Sequence, residues 1–235
     1  LVRRPFLVEG VEQEADGVTT LQLRAHGHAG TPFRPGQFAW LKLGDERYGL
    51  AEHPFSYSSS ADHPDRPSFT IRSQAGFSAA ADLLHQGTQI LVDGPHGAFR
   101  LPHRTRGLLL VAGGIGITPC MSILRTAADR GDRRRYLLLY GSRDVGQVVF
   151  ARELSDLARV LSLEIVHVLG TAPTGWAGES GFVNGDLLHR RLPSDLRKWS
   201  AFICGPPPLV EGVMAGLAEV GLPADRVHAE RFVGV

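Results

Sequence analysis

The sequence has few cysteines. Only two of its 235 residues are cysteine, Cys120 and Cys204. Two cysteines cannot form a framework of several disulfides, nor supply the four ligands of a cysteine-bound zinc or iron–sulfur site, so we expect no metal site. This scarcity favours a reducing compartment. We therefore expect the protein in the cytoplasm, or at the cytoplasmic face of a membrane through a domain that is not in this chain.

An excess of charge of either sign is also missing. The chain has 25 Lys and Arg residues against 24 Asp and Glu residues, which gives a formal net charge of +1 at pH 7. This balance indicates no nucleic-acid partner and no attraction to an anionic membrane surface. The basic run Arg133–Arg135 is short, and a solvated turn accounts for it.

Long apolar runs are absent as well, with one apparent exception. Residues 107–124 carry no charge, and such a run of about 18 residues has the length of a membrane-spanning helix. Four glycines and a proline interrupt it, so we expect no membrane segment. The sequence also lacks an initiator methionine and a secretory signal peptide, which leaves open that it is a fragment of a longer protein.

Two patterns of apolar residues divide the chain. Up to about residue 103, short alternating or β-branched runs stand between Pro, Gly and Asp clusters, which predicts an antiparallel barrel or sandwich. From about residue 104, apolar runs alternate with helical stretches, which predicts a doubly wound parallel sheet. We therefore predict two domains, 1–103 and 104–235. The expected strands of the first are Val18–Arg24, Gln37–Leu43, Phe55–Ser59, Ser68–Ser73 and Thr88–Asp93, with one helix at Ser78–Gln86.

A glycine-rich stretch follows the first apolar run of the second half. Gly113, Gly114 and Gly116 allow a turn in which a ligand approaches the backbone closely. Thr118 and Pro119 predict a helix start, with a hydroxyl N-cap followed by proline at the first helical position. Free N–H groups and the helix dipole at such a start favour a phosphate, although a tight strand-to-helix turn explains the glycines equally well.

Further motifs follow the other predicted parallel strands, where ligands bind in such sheets. The arginine of Ser142–Arg143 suits a phosphate monoester, or is an ordinary surface residue. The cysteine of Cys204–Pro206 is a polarisable group beside a bound ring, or a small buried hydrophobe. Glu230–Phe232 delivers a carboxylate and an aromatic ring to the site, or forms a sheet edge with a free tail.

Two motifs of the first half suit a flavin. The segment His53–Ser56 supplies a donor for phosphate, a flat aromatic ring and a hydroxyl, although a strand entered through a proline explains it too. Arg72 and the segment Gly76–Ser78 form a second candidate, because Ser78 would cap a helix whose N-terminus receives a phosphate. An ordinary cap beside a solvated arginine is the alternative.

Taken in order, these motifs resemble the ferredoxin–NADP reductase superfamily, in which an FAD-binding antiparallel barrel of Greek-key type precedes an NAD(P)-binding α/β domain. The resemblance covers almost the whole chain, and the His-Pro-Phe-Ser form is most similar to the ferric reductase and NADPH oxidase branch. It implies that FAD is bound by His53, Pro54, Phe55, Ser56, Ser59, Arg72, Gly76, Phe77, Ser78 and Phe232. It implies that NADP is bound by Gly113, Gly114, Gly116, Thr118, Pro119, Ser142, Arg143, Cys204, Gly205 and Pro206.

The resemblance also implies a reaction, with Ser56, Cys204, Glu230 and Phe232 as its catalytic residues. A hydride passes from NADPH, with NADH as an alternative donor, to N5 of FAD. Single electrons then leave for an acceptor outside this chain: a haem-bearing membrane domain, a ferric chelate or a carrier protein. Ser142 and Arg143 stand at the 2′-phosphate in the family, which favours NADPH over NADH.

Three readings of the whole chain are open at this point. The first is the dehydrogenase part of a ferric reductase or NADPH oxidase-like protein. The second is a free-standing soluble reductase that serves flavin, ferric chelates or an oxygenase. The third is a flavin-binding interaction module without hydride chemistry. Because His53 stands where relatives have arginine, and its unperturbed pKa is near 6.5, we expect weak retention of the flavin.

Overall fold

A computed structural model describes residues 3–43, 53–73, 84–97 and 105–232. Apart from the last residue, the chain divides into two compact units. The first comprises residues 1–101 together with Met121–Asp129, and the second comprises 102–120 and 130–234. The domain boundary expected after residue 103 lies outside the described residues. Each unit is built on one six-stranded sheet.

The first unit is an antiparallel barrel. Its strands follow the order β4-β3-β6-β1-β2-β5 across the sheet. Just after β4, Tyr57 pairs with Phe69 of β5, and the Ser58 N–H donates to the Ser68 carbonyl at 2.8 Å, which joins the two ends of the sheet. The strands are β1 (Arg4–Ala15), β2 (Val18–Ala25), β3 (Phe38–Leu43), β4 (His53–Ser56), β5 (Ser68–Arg72) and β6 (Gln89–His96).

Alternation along these strands forms the barrel core. Side chains of a strand point to opposite faces in turn, so every second residue faces inward. The fully buried core includes Phe6, Leu21, Leu41 and Ile90, each exposed by no more than 1%. The expected helix at Ser78–Gln86 is wrong for residues 84–86, which are not helical, and its other residues lie outside the described part. The long strand β1 was not among the predicted runs.

The second unit is a parallel sheet flanked by helices, as the alternating pattern predicts. The strand order is β10-β9-β8-β7-β11-β12, and every neighbouring pair is parallel. The strands are β7 (Gly107–Gly113), β8 (Arg135–Ser142), β9 (Ser162–Leu169), β10 (Glu179–Ser180), β11 (Ser200–Gly205) and β12 (Val227–Arg231). The helices are α1 (Ile117–Asp129), α2 (Ala151–Val160), α3 (Gly185–Arg191) and α4 (Pro207–Glu219).

The centre of this sheet fixes where a ligand can bind. Every residue of β7 is buried, as expected of a central parallel strand covered on both faces. Leu109 and Leu139 on one face pack with Leu187 of α3 and Val213 of α4. The strand order reverses between β7 and β11, and a doubly wound sheet binds ligands beyond the carboxyl ends of the strands at such a switch point. No helix among the described residues has the length and apolar content needed to cross a membrane.

Candidate functional site

Glycines allow the backbone to pack closely at the switch point of the parallel sheet. A β-carbon on Gly113, at the end of β7, would lie 2.9 Å from both the Pro206 ring and the Leu209 side chain. A β-carbon on Gly205, at the end of β11, would lie 3.1 Å from the Gly113 nitrogen. The two strand ends therefore approach each other closely, with the Pro206 ring and the Leu209 side chain packed against Gly113.

The turn that follows β7 makes a second close approach. Gly114 has a φ of +54°, a conformation that favours glycine, and Gly114–Gly116 form one 3₁₀ turn. A β-carbon on Gly116 would collide with the carbonyl oxygen of Cys204 and lie 2.6 Å from its carbonyl carbon. The helix α1 begins at Ile117, directly beyond this turn. The Ile117 N–H donates to the Gly114 carbonyl and Pro119 has no N–H, so the positive end of the helix dipole and the open space beside Gly114 are what this helix start offers an anion.

The start of this helix differs from the prediction by two residues. Thr118 was expected as the N-cap and Pro119 as the first helical residue, but α1 begins at Ile117. The Thr118 hydroxyl instead donates to the Ile115 carbonyl at 3.1 Å. The reason is the preceding 3₁₀ turn, which already curls the backbone and carries the chain into the helix before Thr118. Thr118 and Pro119 are both buried in the first helical turn.

Cys204 lies in a row with a carboxylate. In the parallel register Cys204 of β11 stands beside Ala112 of β7 on one side and Glu230 of β12 on the other. Neighbours in such a row point to the same face of the sheet. Cys120, one helical turn after Gly116, donates its thiol to the Gly116 carbonyl at 3.8 Å. The row therefore brings together two of the predicted catalytic residues, Cys204 and Glu230.

Burial sets the protonation of this group. Both cysteines are fully buried, and burial raises the pKa of the Cys120 thiol to about 12 and that of Cys204 well above its ordinary value. The two thiols are therefore neutral at physiological pH and are not nucleophiles. Burial also raises the pKa of the half-buried Glu230 to about 7. Glu230 is thus the one member of the group that changes charge near neutral pH.

Phe232 reaches the same strand end. Its N–H donates to the carbonyl of Gly205 at 3.0 Å, which extends the pairing of β12 with β11 by one residue. Its ring is half-buried. The predicted residues Gly205, Pro206, Glu230 and Phe232 therefore gather at the carboxyl end of β11.

Ser142 and Arg143 lie at the carboxyl end of the neighbouring strand, β8. The Ser142 hydroxyl is buried, and no hydrogen-bond partner reaches it from the described residues. Arg143 is 78% exposed and pairs with Asp144 at 3.3 Å, a contact that the sequence analysis did not anticipate. An exposed ion pair of this kind contributes little to stability, so the guanidinium can exchange Asp144 for a ligand phosphate.

The flavin motif of the first unit occupies β4. His53, Pro54, Phe55 and Ser56 pair in register with Leu41, Trp40, Ala39 and Phe38 of β3. Ser56 is 3% exposed, and among the described residues its hydroxyl has no hydrogen-bond partner. A buried polar atom without a partner is costly and rare, so it marks a place where a ligand group can complete the bonding.

The contacts of the other predicted flavin residues give less indication of a ligand site. Phe55 is half-buried and packs partly against the barrel core. The Ser59 hydroxyl accepts a hydrogen bond from the Ser68 N–H at 2.9 Å, so it is engaged within the barrel. Arg72 is the last residue of β5. Gly76, Phe77 and Ser78 lie outside the described residues.

One contributor to the site was missed from the sequence. The sequence patterns assign no role to Cys120. In the structure it lies beside Gly116 and interacts electrostatically with Cys204 and Glu230. Its spacing of four residues from Gly116 places the two on one face of a helix, and that spacing was the available signal.

The protonation of Glu230 predicts a pH-dependent stability. In the unfolded chain its carboxyl ionises near its ordinary value of 4.5, whereas in the fold it stays protonated to about pH 7. The folded state therefore holds more protons in this interval, and stability falls as pH rises from about 4.5 to 7. Glu230→Gln should remove this fall. Melting temperatures of the two proteins, measured from pH 4.5 to 8, should diverge up to about pH 7 and then run parallel; parallel curves throughout would contradict a buried, protonated Glu230.

The sequence and the fold match known proteins. Residues 110–215 match the family model described as the oxidoreductase NAD-binding domain. The chain is 34% identical over 205 residues to the ferredoxin reductase component of the 3-ketosteroid-9-alpha-monooxygenase of Rhodococcus rhodochrous, covering 85% of this chain and 56% of that protein. It is 29% identical over 236 residues to the reductase component of the propane 2-monooxygenase of Rhodococcus jostii, covering 96% and 62%.

A solved structure matches almost the whole chain. The cytochrome P450 reductase of Amycolatopsis superimposes with a TM-score of 0.83 at 26% identity, over 98% of this chain and 69% of that one. The chain thus spans only 56% and 62% of the length of the two curated relatives. The named relatives are reductase components of oxygenases, and they do not support the ferric reductase and NADPH oxidase branch that the His53–Ser56 motif favoured. The predicted fold class and the resemblance to the superfamily are confirmed: residues 110–215 match an oxidoreductase NAD-binding domain that follows an antiparallel barrel, and the chain is similar to ferredoxin reductase components.

Proposed function

We propose that the chain is the FAD- and NAD(P)H-binding part of an electron-transfer reductase. It takes a hydride from a reduced nicotinamide nucleotide and delivers electrons to an acceptor outside these residues. The observation that carries the proposal is the switch point itself, where close packing at Gly113, Gly116 and Gly205 brings the start of α1 against the ends of β7 and β11, with open space beside Gly114. A glycine turn and a helix start at such a place suit the pyrophosphate of a dinucleotide.

The residues of the second unit have distinct parts in this proposal. The turn Gly114–Gly116 and the positive end of the α1 dipole receive the pyrophosphate. The neutral thiol of Cys204 and the carboxyl of Glu230 shape the pocket for the nicotinamide at the end of β11. Ser142, with its unpartnered hydroxyl, and Arg143 lie where the adenosine end would reach across β8.

The residues of the first unit fit a flavin. The buried Ser56 hydroxyl has an open hydrogen-bonding position at the end of β4, and it would donate to a ring nitrogen of the isoalloxazine. Phe55 and Pro54 would contribute flat apolar surface beside the ring, and His53 and Arg72 would meet the phosphates. FAD, when bound, supplies the two-electron to one-electron conversion that a nicotinamide cannot carry out.

The acceptor is proposed to be a component of an oxygenase system. The relatives that support this are named as reductase components of monooxygenases and as a cytochrome P450 reductase. We therefore favour the second of the three readings over the ferric reductase or NADPH oxidase reading. A haem, an iron–sulfur centre or a carrier protein outside these residues would each serve as acceptor.

Anaerobic stopped-flow spectroscopy tests the reaction directly. The chain is saturated with FAD and mixed with NADH or NADPH, and the flavin absorbance is followed. We expect fast bleaching, and Ser56→Ala should slow it about ten- to hundredfold because a donor to the reacting ring is lost. Ser122→Ala is the matched control, since Ser122 is another buried hydroxyl without a partner among the described residues. Flavin that is bound yet never bleached would contradict the proposal and favour a non-catalytic flavin-binding module.

The choice between NADPH and NADH tests the part given to Arg143. Arg143→Ala should raise KM for NADPH about tenfold and leave KM for NADH nearly unchanged, because one phosphate–arginine contact is worth roughly 1.5–3 kcal/mol. Arg159→Ala is the control, since Arg159 is equally exposed at 78% and also pairs with an aspartate. An equal effect on both nucleotides would remove Arg143 from the 2′-phosphate site.

A further inference from the structure

The chain continues from the unpartnered Ser56 hydroxyl into an unusually buried segment. Tyr57 to Ala61, directly after β4, are all buried, and three of these five residues are serines. The hydroxyl of Ser56 can serve a ligand only if this segment holds a fixed course. Two sets of contacts hold this run of buried polar residues, which lies beyond the end of the strand.

One support is a ladder of hydroxyl groups. The Ser58 hydroxyl lies 3.2 Å from that of Ser68 and accepts a hydrogen bond from Thr70 at 3.0 Å. The Thr70 hydroxyl is 2.8 Å from that of Thr20, and Thr20 donates to the Glu14 carboxylate at 2.6 Å. The side chain of Ser58 thus contacts β5 directly and is linked through Thr70 to β2 and β1.

The other support comes from the C-terminal part of α1, which belongs to the same compact unit. The Arg125 guanidinium donates to the Ser58 carbonyl at 2.6 Å. The next residue, Thr126, accepts a hydrogen bond from the Ala61 N–H at 2.9 Å and donates to the Ser122 carbonyl at 2.7 Å. Ser58 is therefore held through its side chain by the barrel and through its main chain by an arginine.

Such a network is costly as a means of stability alone. Buried hydroxyls and a half-buried guanidinium give up their hydration, and well-packed apolar residues would hold the segment at lower cost. What a fully bonded polar network provides is a single arrangement. Ser58 is two residues from Ser56, so in extended chain their side chains point the same way, and fixing Ser58 fixes the direction of Ser56.

We propose that Arg125 and Ser58 are positioning residues that aim the Ser56 hydroxyl at the flavin. The inference rests on the proposed function in one respect, namely that flavin binds at β4. It adds a role to a helix residue that the flavin and nucleotide motifs do not include. The hydrogen bond from Arg125 is charge-assisted and acts directly on the main chain of Ser58.

Hydrogen exchange tests the positioning role of Arg125 and Ser58 in the absence of flavin. The variants are Arg125→Met, which keeps the apolar stem and loses the donors, and Arg125→Lys, which keeps a charged donor. Arg159→Met is the control for the same change at an exposed site. In the flavin-free chain, Arg125→Met should speed amide exchange of the peptide covering Ser56–Ala61 about tenfold, with partial rescue in Arg125→Lys and no effect in the control.

The flavin-loaded chain gives the second readout. Arg125→Met should shift the flavin midpoint potential and slow flavin reduction about tenfold, while the dissociation constant for NADH stays unchanged. Unchanged exchange at Ser56–Ala61 would overturn the proposal. The proposal would also be overturned if Arg125→Met lowered the melting temperature but kept the flavin potential and the reduction rate of the wild type, since a merely structural residue gives that pattern. Failure of the proposed function has a different signature: the wild-type chain itself would not be reduced, whatever the exchange experiment gives.

Discussion

The approach of Gly116 to the Cys204 carbonyl is the contact on which the second unit depends. It joins the turn after β7 to the end of β11 at the point where the strand order reverses. No side chain fits there, so the backbone of two strand ends and a helix start is left facing the same space. The start of α1 is packed against Cys204 by this contact, while the pairing of β11 with β12 places Glu230 and Phe232 beside it.

The two units share one structural feature. Each ends a strand with a buried serine whose hydroxyl finds no partner among the described residues, Ser56 in the barrel and Ser142 in the parallel sheet. Burying a hydroxyl group without a hydrogen-bond partner costs free energy, and a bound cofactor or nucleotide would offset that cost by completing the hydrogen bond. The same physical argument therefore supports the proposed flavin site in one unit and the proposed nucleotide site in the other.

Local pattern predicted much of the fold, and distant contacts account for what it missed. The change from alternating runs to apolar runs with helices separates the barrel from the parallel sheet. The three glycines at the end of β7 and in the turn that follows indicate the switch point. The hydroxyl ladder joins residues 14, 20, 58 and 70, whose proximity no local spacing reveals. The start of α1 was misplaced because a 3₁₀ turn overrides the signal of Thr118 and Pro119. The ferric reductase branch was favoured by one four-residue motif, which cannot outweigh similarity over most of the chain.

The central claim is that the switch point packed around Gly113, Gly116 and Gly205 receives the dinucleotide, and nucleotide affinity tests it most directly. The measurement is NADH binding by isothermal titration calorimetry to Gly116→Ala, with Gly212→Ala as control because a β-carbon at Gly212 meets nothing within 4 Å. The account predicts that Gly116→Ala weakens binding at least about tenfold, since the new methyl group pushes Cys204 out of place, while Gly212→Ala binds as the wild type does. Wild-type affinity in a folded Gly116→Ala protein would show that the nucleotide binds elsewhere.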